Sequence, residues 1–520
     1  MLDFLHPSLR ATIASLALLP LSHALHAQKQ PDLKKLDAYI AKAVTDFGQP
    51  GLAVGIVQGG KLIWSHGYGR LDVAKPDPVT ENSDFYCASL SKAFTVCAIG
   101  MLVDDGVLKW DDKVIEHLPW FKLNDPYVTA NMTVRDLLCH RAGFITFDGD
   151  LLWYGTHYTP REILDRHAKE PLTYGFRSRF GYSNLMLIAA AALIEKKSDV
   201  TWDQFITKRI LEPLAMTRTR VETADLAKMT DVALPHVHKG QDPKAPLMSM
   251  AYQPLQGADG ACGIISCVTD LAKWDAMWMN EGKTADGKVF LKEGTWTTIT
   301  TDQLSNEVAP EENITGKHYD GTAMGWFTED RDGYKIITHS GGMPGFILNH
   351  AVVPEKDFAV ICLGNGETYS VFAITDKILN LYLGNGMADP VADMLPRIEQ
   401  RDLRDAKRVG DRAAARITGT SPSRPLVQYT GTYTDKIYGD AVITETGGGL
   451  SLSFVPAPEL FTGTLSHWHY DTFQWNHADP FLEPGYITFS FDADHRITGF
   501  KVDLHSPDFH FYKLDFKKKP

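Results

Sequence analysis

Beyond its first 27 residues this 520-residue chain has no apolar run long enough to cross a bilayer, which takes about 18 residues or more. No membrane span is therefore expected in the mature protein. Positive charge is also in short supply, with 52 Lys and Arg against 64 Asp and Glu and a formal charge of −12. Nucleic-acid binders concentrate basic residues to displace counterions from phosphates, so neither DNA nor RNA is expected as a partner. Six cysteines are too few for a disulfide scaffold at this length. Cys87, Cys97 and Cys139 sit among apolar neighbours and read as small packing residues. Cys262 and Cys267 are close enough in sequence to bridge, a matter of geometry that sequence leaves open. Internal repeats and low-complexity segments are missing as well. His467 and His469 alternate along a strand-like run without a third ligand at plausible spacing, so no metal or other cofactor is expected.

What is present is apolar material, 44% of residues, enough for one large core and a second smaller one. Ala11 to Leu21 form a short apolar run behind Arg10, and Ala24-Leu25-His26-Ala27 puts small residues where signal peptidase cuts. The expectation is a secretory signal over 1–27 and an exported product, periplasmic or secreted. Leu33, Leu36, Ile40, Ala43, Val44 and Phe47 then recur at helical spacing up to Gly48. A hairpin follows, Leu52 to Gln58 and Lys61 to His66 around Gly59-Gly60. Ala88 to Val103 reads as helix, and helices and loops predominate to about Thr300. Strands return at Ala323 to Thr328, Tyr334 to His339, Phe346 to Val353 and Phe358 to Leu363, with Asp332-Gly333 as a turn, before a helix from about Ser370 to Leu383. This order predicts an α+β domain over 28–384, an antiparallel sheet assembled from both ends of the segment and flanked by helices, with an all-helical subdomain. Residues 385–425 read as a charged linker, helical from Arg401 to Arg416, with a polar breaker cluster at Thr418 to Ser423. Over 426–520 short, evenly spaced strands predict a small antiparallel barrel.

Ser89-Leu90-Ser91-Lys92 occurs once as an S-x-x-K pattern. Three-residue spacing on a helix brings the Ser89 hydroxyl and the Lys92 amine together. A lysine activates a serine when burial or nearby positive charge lowers its pKa, and Cys87, Ala88, Phe94 and Cys97 supply an apolar setting. Alone, the pair also fits a helix N-cap followed by a solvated charge. Tyr182-Ser183-Asn184 is the sole Y-x-N and precedes an apolar helical run. Its phenol could shuttle a proton and its amide hold a substrate carbonyl. His339-Ser340-Gly341-Gly342 ends a strand, where glycines admit an acyl group to the backbone and a free N–H completes an oxyanion hole. His238-Lys239-Gly240 has the same form but is expected in a loop without strand character. The stretches Ile145 to Tyr174 and Leu304 to Tyr319 are candidates for loops that line the pocket.

Ser-x-x-Lys, Tyr-x-Asn and a late His-x-Gly, in that order, resemble the signature of serine β-lactamases and penicillin-binding proteins, in particular the class C branch with its esterase, D-aminopeptidase and carboxypeptidase relatives. Pro50 to Val54, Thr133 to Gly143 and Gly260 to Ser266 agree, and the likeness spans about Leu33 to Leu383. The resemblance implies Ser89 as acylated nucleophile, Lys92 and Tyr182 as the acid/base pair, Asn184 and His339 as substrate contacts, and the N–H groups of Ser89 and Gly342 as oxyanion hole. His339 stands where the β-lactamases of this branch usually carry lysine, and the C-terminal segment resembles the lipocalin-like domains of some peptidase relatives. The expected activity is hydrolysis of an amide or ester in a small molecule or short peptide, with D-residue peptides foremost. A β-lactamase or carboxylesterase is the alternative within the class, and a binder of penicillin or peptidoglycan without turnover the alternative outside it. Oligomeric state is left open.

Overall fold

Leu36, Ile40 and Ala43 share one side of the first helix, Leu33–Asp46, and are buried; Asp32 caps its start by accepting from Lys35 N. The computed structural model describes residues 31–221, 229–253, 257–308, 316–384 and 386–520, so the signal-like segment 1–27 lies outside the described residues. The helix ends where Gly48 takes φ +63°, open to glycine at no steric cost. The hairpin Gly51–Gln58 and Lys61–Gly69 turns through Gly59 and Gly60, both with φ above 60° or at it, as a two-residue turn matched to strand twist requires. Its first strand is buried on both faces. Ala53 and Val57 join the core under the helical lobe, whereas Leu52, Val54 and Ile56 join the core under the terminal helices. A β-carbon on Gly55 would stand 2.3 Å from Val268 Cγ1, so this glycine lets the helix Val268–Met279 lie close on the sheet.

The hairpin sits at one end of an eight-stranded antiparallel sheet, in the order Lys61–Gly69, Gly51–Gln58, Phe358–Gly364, Phe346–Val353, Tyr334–Met343, Phe327–Arg331, Asp320–Thr322 and Leu304–Ser305. Leu52 pairs with Gly364 and Gln58 with Phe358, so both ends of the domain build one sheet, as expected. Leu33–Asp46 and Ser370–Leu383 pack on one face. On the other face Val268–Met279 presents Trp274 and Trp278, and Phe94 of the buried helix Ser91–Asp104 stacks on Trp274 at 3.9 Å. All six cysteines are free and buried, Cys262 and Cys267 included.

Three expectations need correction. Ala323 to Thr328 is not one strand. Ala323 N bonds Trp326 O, and Gly325, at φ +65° and against Lys92 O and Val96, turns the chain between Asp320–Thr322 and Phe327–Arg331. His238-Lys239-Gly240 does carry strand, since His236–His238 pairs with Leu247–Ser249. Its bonds lead away from the other motifs, from His238 Nδ1 to Ala245 O and from Gly240 N to Pro480 O. The charged helix begins at Pro390, not near Arg401, and runs to Ala414. Pro390 starts it with a preset φ and Asp389 caps Ala392 N.

The polar cluster after that helix is tied down. Ser423 donates from N and Oγ to Asp471, and Arg416 to Trp468 O. The C-terminal strands form a closed eight-stranded barrel. It includes the short strands Thr472–His477 and Asp515–Lys518. Tyr433 pairs with Lys518 to close it, and Leu452, Phe454, Trp475, Phe489, Phe500 and Phe516 fill it. Closure leaves no strand edge open to another chain.

Candidate active site

Ser89 lies in a 3-10 turn, Ala88–Leu90, that leads into the helix Ser91–Asp104. Ala88 takes φ +47°, a strained conformation for a residue with a β-carbon, and among residues 83–102 only Ser89 is not fully buried. The turn thereby shows one hydroxyl to solvent. Lys92, one helical turn on, is wholly buried and donates to Ser89 Oγ at 2.9 Å and Ala261 O at 3.0 Å. Burial pulls its pKa down from 10.5 to about 8, against the opposing pull of Cys262 and Asp150. Gly260 to Ile264 wraps this helix, with Thr95 donating to Gly260 O and Ile264 N donating to Ser91 Oγ. Gly260 also lies close on the helix Asn184–Ser198, where a β-carbon would meet Leu187 O at 2.8 Å.

Tyr182 is brought to the same place by Gly181, where a β-carbon would overlap Phe144 O, and by Phe147 N bonding to Tyr182 O at 2.8 Å. The Lys92 amine lies 4.9 Å from its ring centre. Burial drives the phenol's pKa far up, although its hydrogen bond with Ser89 works the other way, so the phenol keeps its proton at neutral pH. His140 stacks on the ring at 4.2 Å and accepts from Ser183 N at 3.1 Å. Asn184, the first residue of the helix Asn184–Ser198, donates from Nδ2 to Asp150 at 2.7 Å. Neither His140 nor Asp150 was singled out for chemistry, though both fall inside stretches that were. His140 lies in the Thr133 to Gly143 stretch and Asp150 in the Ile145 to Tyr174 loop.

The strand Tyr334–Met343 forms the opposite wall. Gly341 faces Cys87 so closely that a β-carbon would stand 2.5 Å from Cys87 O, whereas one on Gly342 would meet nothing within 4 Å. His339 is buried, its ring 6.2 Å from that of Tyr182 and 5.2 Å from that of Phe327. Its Nδ1 donates to Ser340 O at 2.6 Å, and Nε2 has no partner among the described residues. Burial, with help from the Lys92 charge, holds its pKa down to about 3. The imidazole is therefore neutral, and its remaining nitrogen is an acceptor. Beside His339 a cavity of about 790 Å³ extends past Phe327, Arg179, Leu304 to Glu307 and Lys317, so the second of the two loops singled out in the sequence does line a pocket; 309–315 lie outside the described residues.

For metal ions, His467 and His469 offer little. His467 bonds to Tyr470 O, His469 accepts from Ile417 N, and a bulge separates them. Asp112, Glu116 and His117 place one ligand atom each within 4.8 Å of one another, but Asp112 is already engaged by His117 and Lys109 N.

Residues 36–384 match the family described as beta-lactamase, and 415–518 match a domain of unknown function, DUF3471. An unguisins hydrolase from Aspergillus campestris is 28% identical over 76% of this chain and 74% of its own. Penicillin-binding protein 4* of Bacillus subtilis is 27% identical over 60% and 67%. Among solved structures, an octameric penicillin-binding protein homologue from Pyrococcus abyssi superposes with a TM-score of 0.61 at 22% identity, covering 94% of this chain and all of that one. A D-stereospecific amidohydrolase from Streptomyces superposes at 0.54 and 20% identity, over 66% and 98%.

Proposed function

Because the chain belongs to the beta-lactamase family, we propose that it is a serine hydrolase that cleaves an amide, or an ester, through an acyl-enzyme on Ser89. Lys92 carries this reading, being a buried amine 2.9 Å from the hydroxyl whose pKa, about 8, lets it lose its proton near neutrality. As Ser89 Oγ bonds to the substrate carbonyl carbon, its proton passes to Lys92. The carbonyl oxygen, now negative, takes hydrogen bonds from the N–H groups of Ser89 and Gly342. Tyr182, still a phenol, hands its proton to the leaving nitrogen or oxygen as that bond breaks and recovers one from Lys92. Water then repeats the sequence on the acyl-enzyme. Between the two members of the acid/base pair, Lys92 is the base, since burial keeps Tyr182 protonated.

His339 bears on the choice of substrate. A neutral imidazole that offers only an acceptor attracts an N–H or O–H group and gives a carboxylate no charge to pair with. That favours a peptide amide, D-residue peptides included, over a penicillin nucleus or a free C-terminus at this wall. The relative named an unguisins hydrolase supports hydrolysis, and the signal-like segment 1–27 supports action after export.

The test is intact mass of the mature protein and of Ser89→Ala after a fluorophosphonate and a labelled penicillin, with turnover of a panel of L- and D-aminoacyl amides and esters. One adduct on the wild type alone, with turnover of amides, is expected. Equal labelling of both proteins overturns the assignment of Ser89, and a stable adduct without turnover of any panel member turns the reading to a binding protein.

A further inference from the structure

We propose that Asp150 is a positioning residue for Asn184, and that the C-terminal barrel holds Asp150 in place. The inference rests on the acyl-enzyme reading above and gives the barrel a part in it. Asp150 is buried at 3% exposure and its Oδ2 accepts from Asn184 Nδ2 at 2.7 Å; burial raises its pKa from 3.8 to about 8, against the hydrogen bonds of the Trp153 and Asn184 side chains. A carboxyl so placed costs folding energy that an apolar side chain of similar size would not, so packing alone does not account for it. An amide can turn end for end with little change of shape. Asp150 is mostly protonated at neutral pH, and the bond its Oδ2 accepts holds the nitrogen end of the Asn184 amide toward it; Asn184 stands two residues from Tyr182.

The turn that carries Asp150 is stiff. It starts at Gly149, φ +81°, where a β-carbon would meet His167 Cδ2 at 2.6 Å and Leu185 Cδ2 at 2.9 Å, and the Asp150 carbonyl accepts from the N–H of Trp153 and of Tyr154. The barrel clamps this turn from both sides. Phe509 stacks on Tyr154 at 4.0 Å and meets Trp153 edge-on at 6.2 Å, Tyr154 Oη donates to Asp479 at 2.8 Å, and Lys513 Nζ donates to Asp148 at 2.6 Å. Phe147, next to Asp148, is the residue whose N–H bonds the carbonyl of Tyr182. Displacing the barrel loop thus displaces Asp150, and with it the amide of Asn184.

A double-mutant cycle in the full chain tests this, with kcat and KM on the best amide of the panel and Tm as control. Asp150→Ala and Asn184→Ala are each expected to lower kcat about 10- to 100-fold, as misplacement of a reacting group does, and the double variant to be no worse than Asn184→Ala. Asp150→Asn, which keeps an oxygen acceptor, should recover most of the loss. Lys513→Met combined with Phe509→Leu should lower kcat in the wild-type background and not in Asp150→Ala. If Asp150→Ala does not fold, Asp150→Leu takes its place in the cycle. Losses that multiply, an Asp150 variant with wild-type kcat, or no rescue by asparagine overturn the positioning role; barrel variants with unchanged kcat overturn the barrel's part. Turnover that survives Ser89→Ala would instead sink the acyl-enzyme reading, whatever Asp150 does.

Discussion

Burying the Lys92 amine destabilises the fold in the same stroke that makes it a base. Its pKa falls from 10.5 to about 8, so between those pH values the unfolded chain holds a proton that the folded chain does not. Stability therefore rises with pH across that window, and below it the full cost, on the order of 3 kcal/mol, is present. At pH 7 Lys92→Met is expected to raise Tm by a few degrees while abolishing turnover, and wild-type kcat/KM should climb as pH approaches about 8. Calorimetry and a pH–rate profile check both; a Tm that falls, or a rate that declines toward pH 8, sinks the assignment. The contact of Ser89 with Lys92 was legible in the sequence because it is local, one helical turn, whereas Tyr182 stood out only through its distinctive triplet and the resemblance that triplet carries. The Asn184–Asp150 bond was not, since it joins a helix start to a loop by tertiary packing. Nor was the tautomer of His339, which is decided by the carbonyl of Ser340.

The wall strand and the Ser89 turn meet through a glycine. Gly341→Ala would press a methyl group against Cys87 O and must push the strand from the turn, whereas Gly342→Ala points into open space. Lower Tm and at least a tenfold loss of kcat are expected for the first, and a wild-type Tm for the second. Equal melting of the two variants would count against the close approach. Elements with their own punctuation were readable: the Gly59-Gly60 hairpin, the Asp332-Gly333 turn and the helix Ser370–Leu383. Elements defined by distant partners were not. Gly325 breaks a strand because it must pass beneath the helix of Lys92, and Asp515–Lys518 is a strand only because the first and seventh barrel strands flank it.

Across the whole molecule polar contacts tie the barrel to the hydrolase domain and to the connecting helix. Tyr154 and Asp479 are both buried, and Arg408 of the connecting helix forks onto Glu483 at 2.7 and 3.2 Å. Tyr154→Phe, which removes the donor from Asp479 Oδ2 while Phe481 N still serves Oδ1, is expected to cost about 1–3 kcal/mol, with calorimetry showing one unfolding transition in both proteins. Two separated transitions in the wild type would show that the two units melt independently.

The pairing of Leu52 with Gly364 has a further bearing on how the protein comes to exist. A ribosome delivers the Gly51–Gln58 strand early and its permanent neighbour, Phe358–Gly364, only after the entire helical lobe. During that interval a strand apolar on both faces has no place to go. Long-range pairing of this sort slows folding and leaves sticky edges exposed, so nascent chains stalled or cut short of Gly364 will aggregate, and a holdase that shields residues 51–69 will raise the yield of folded enzyme.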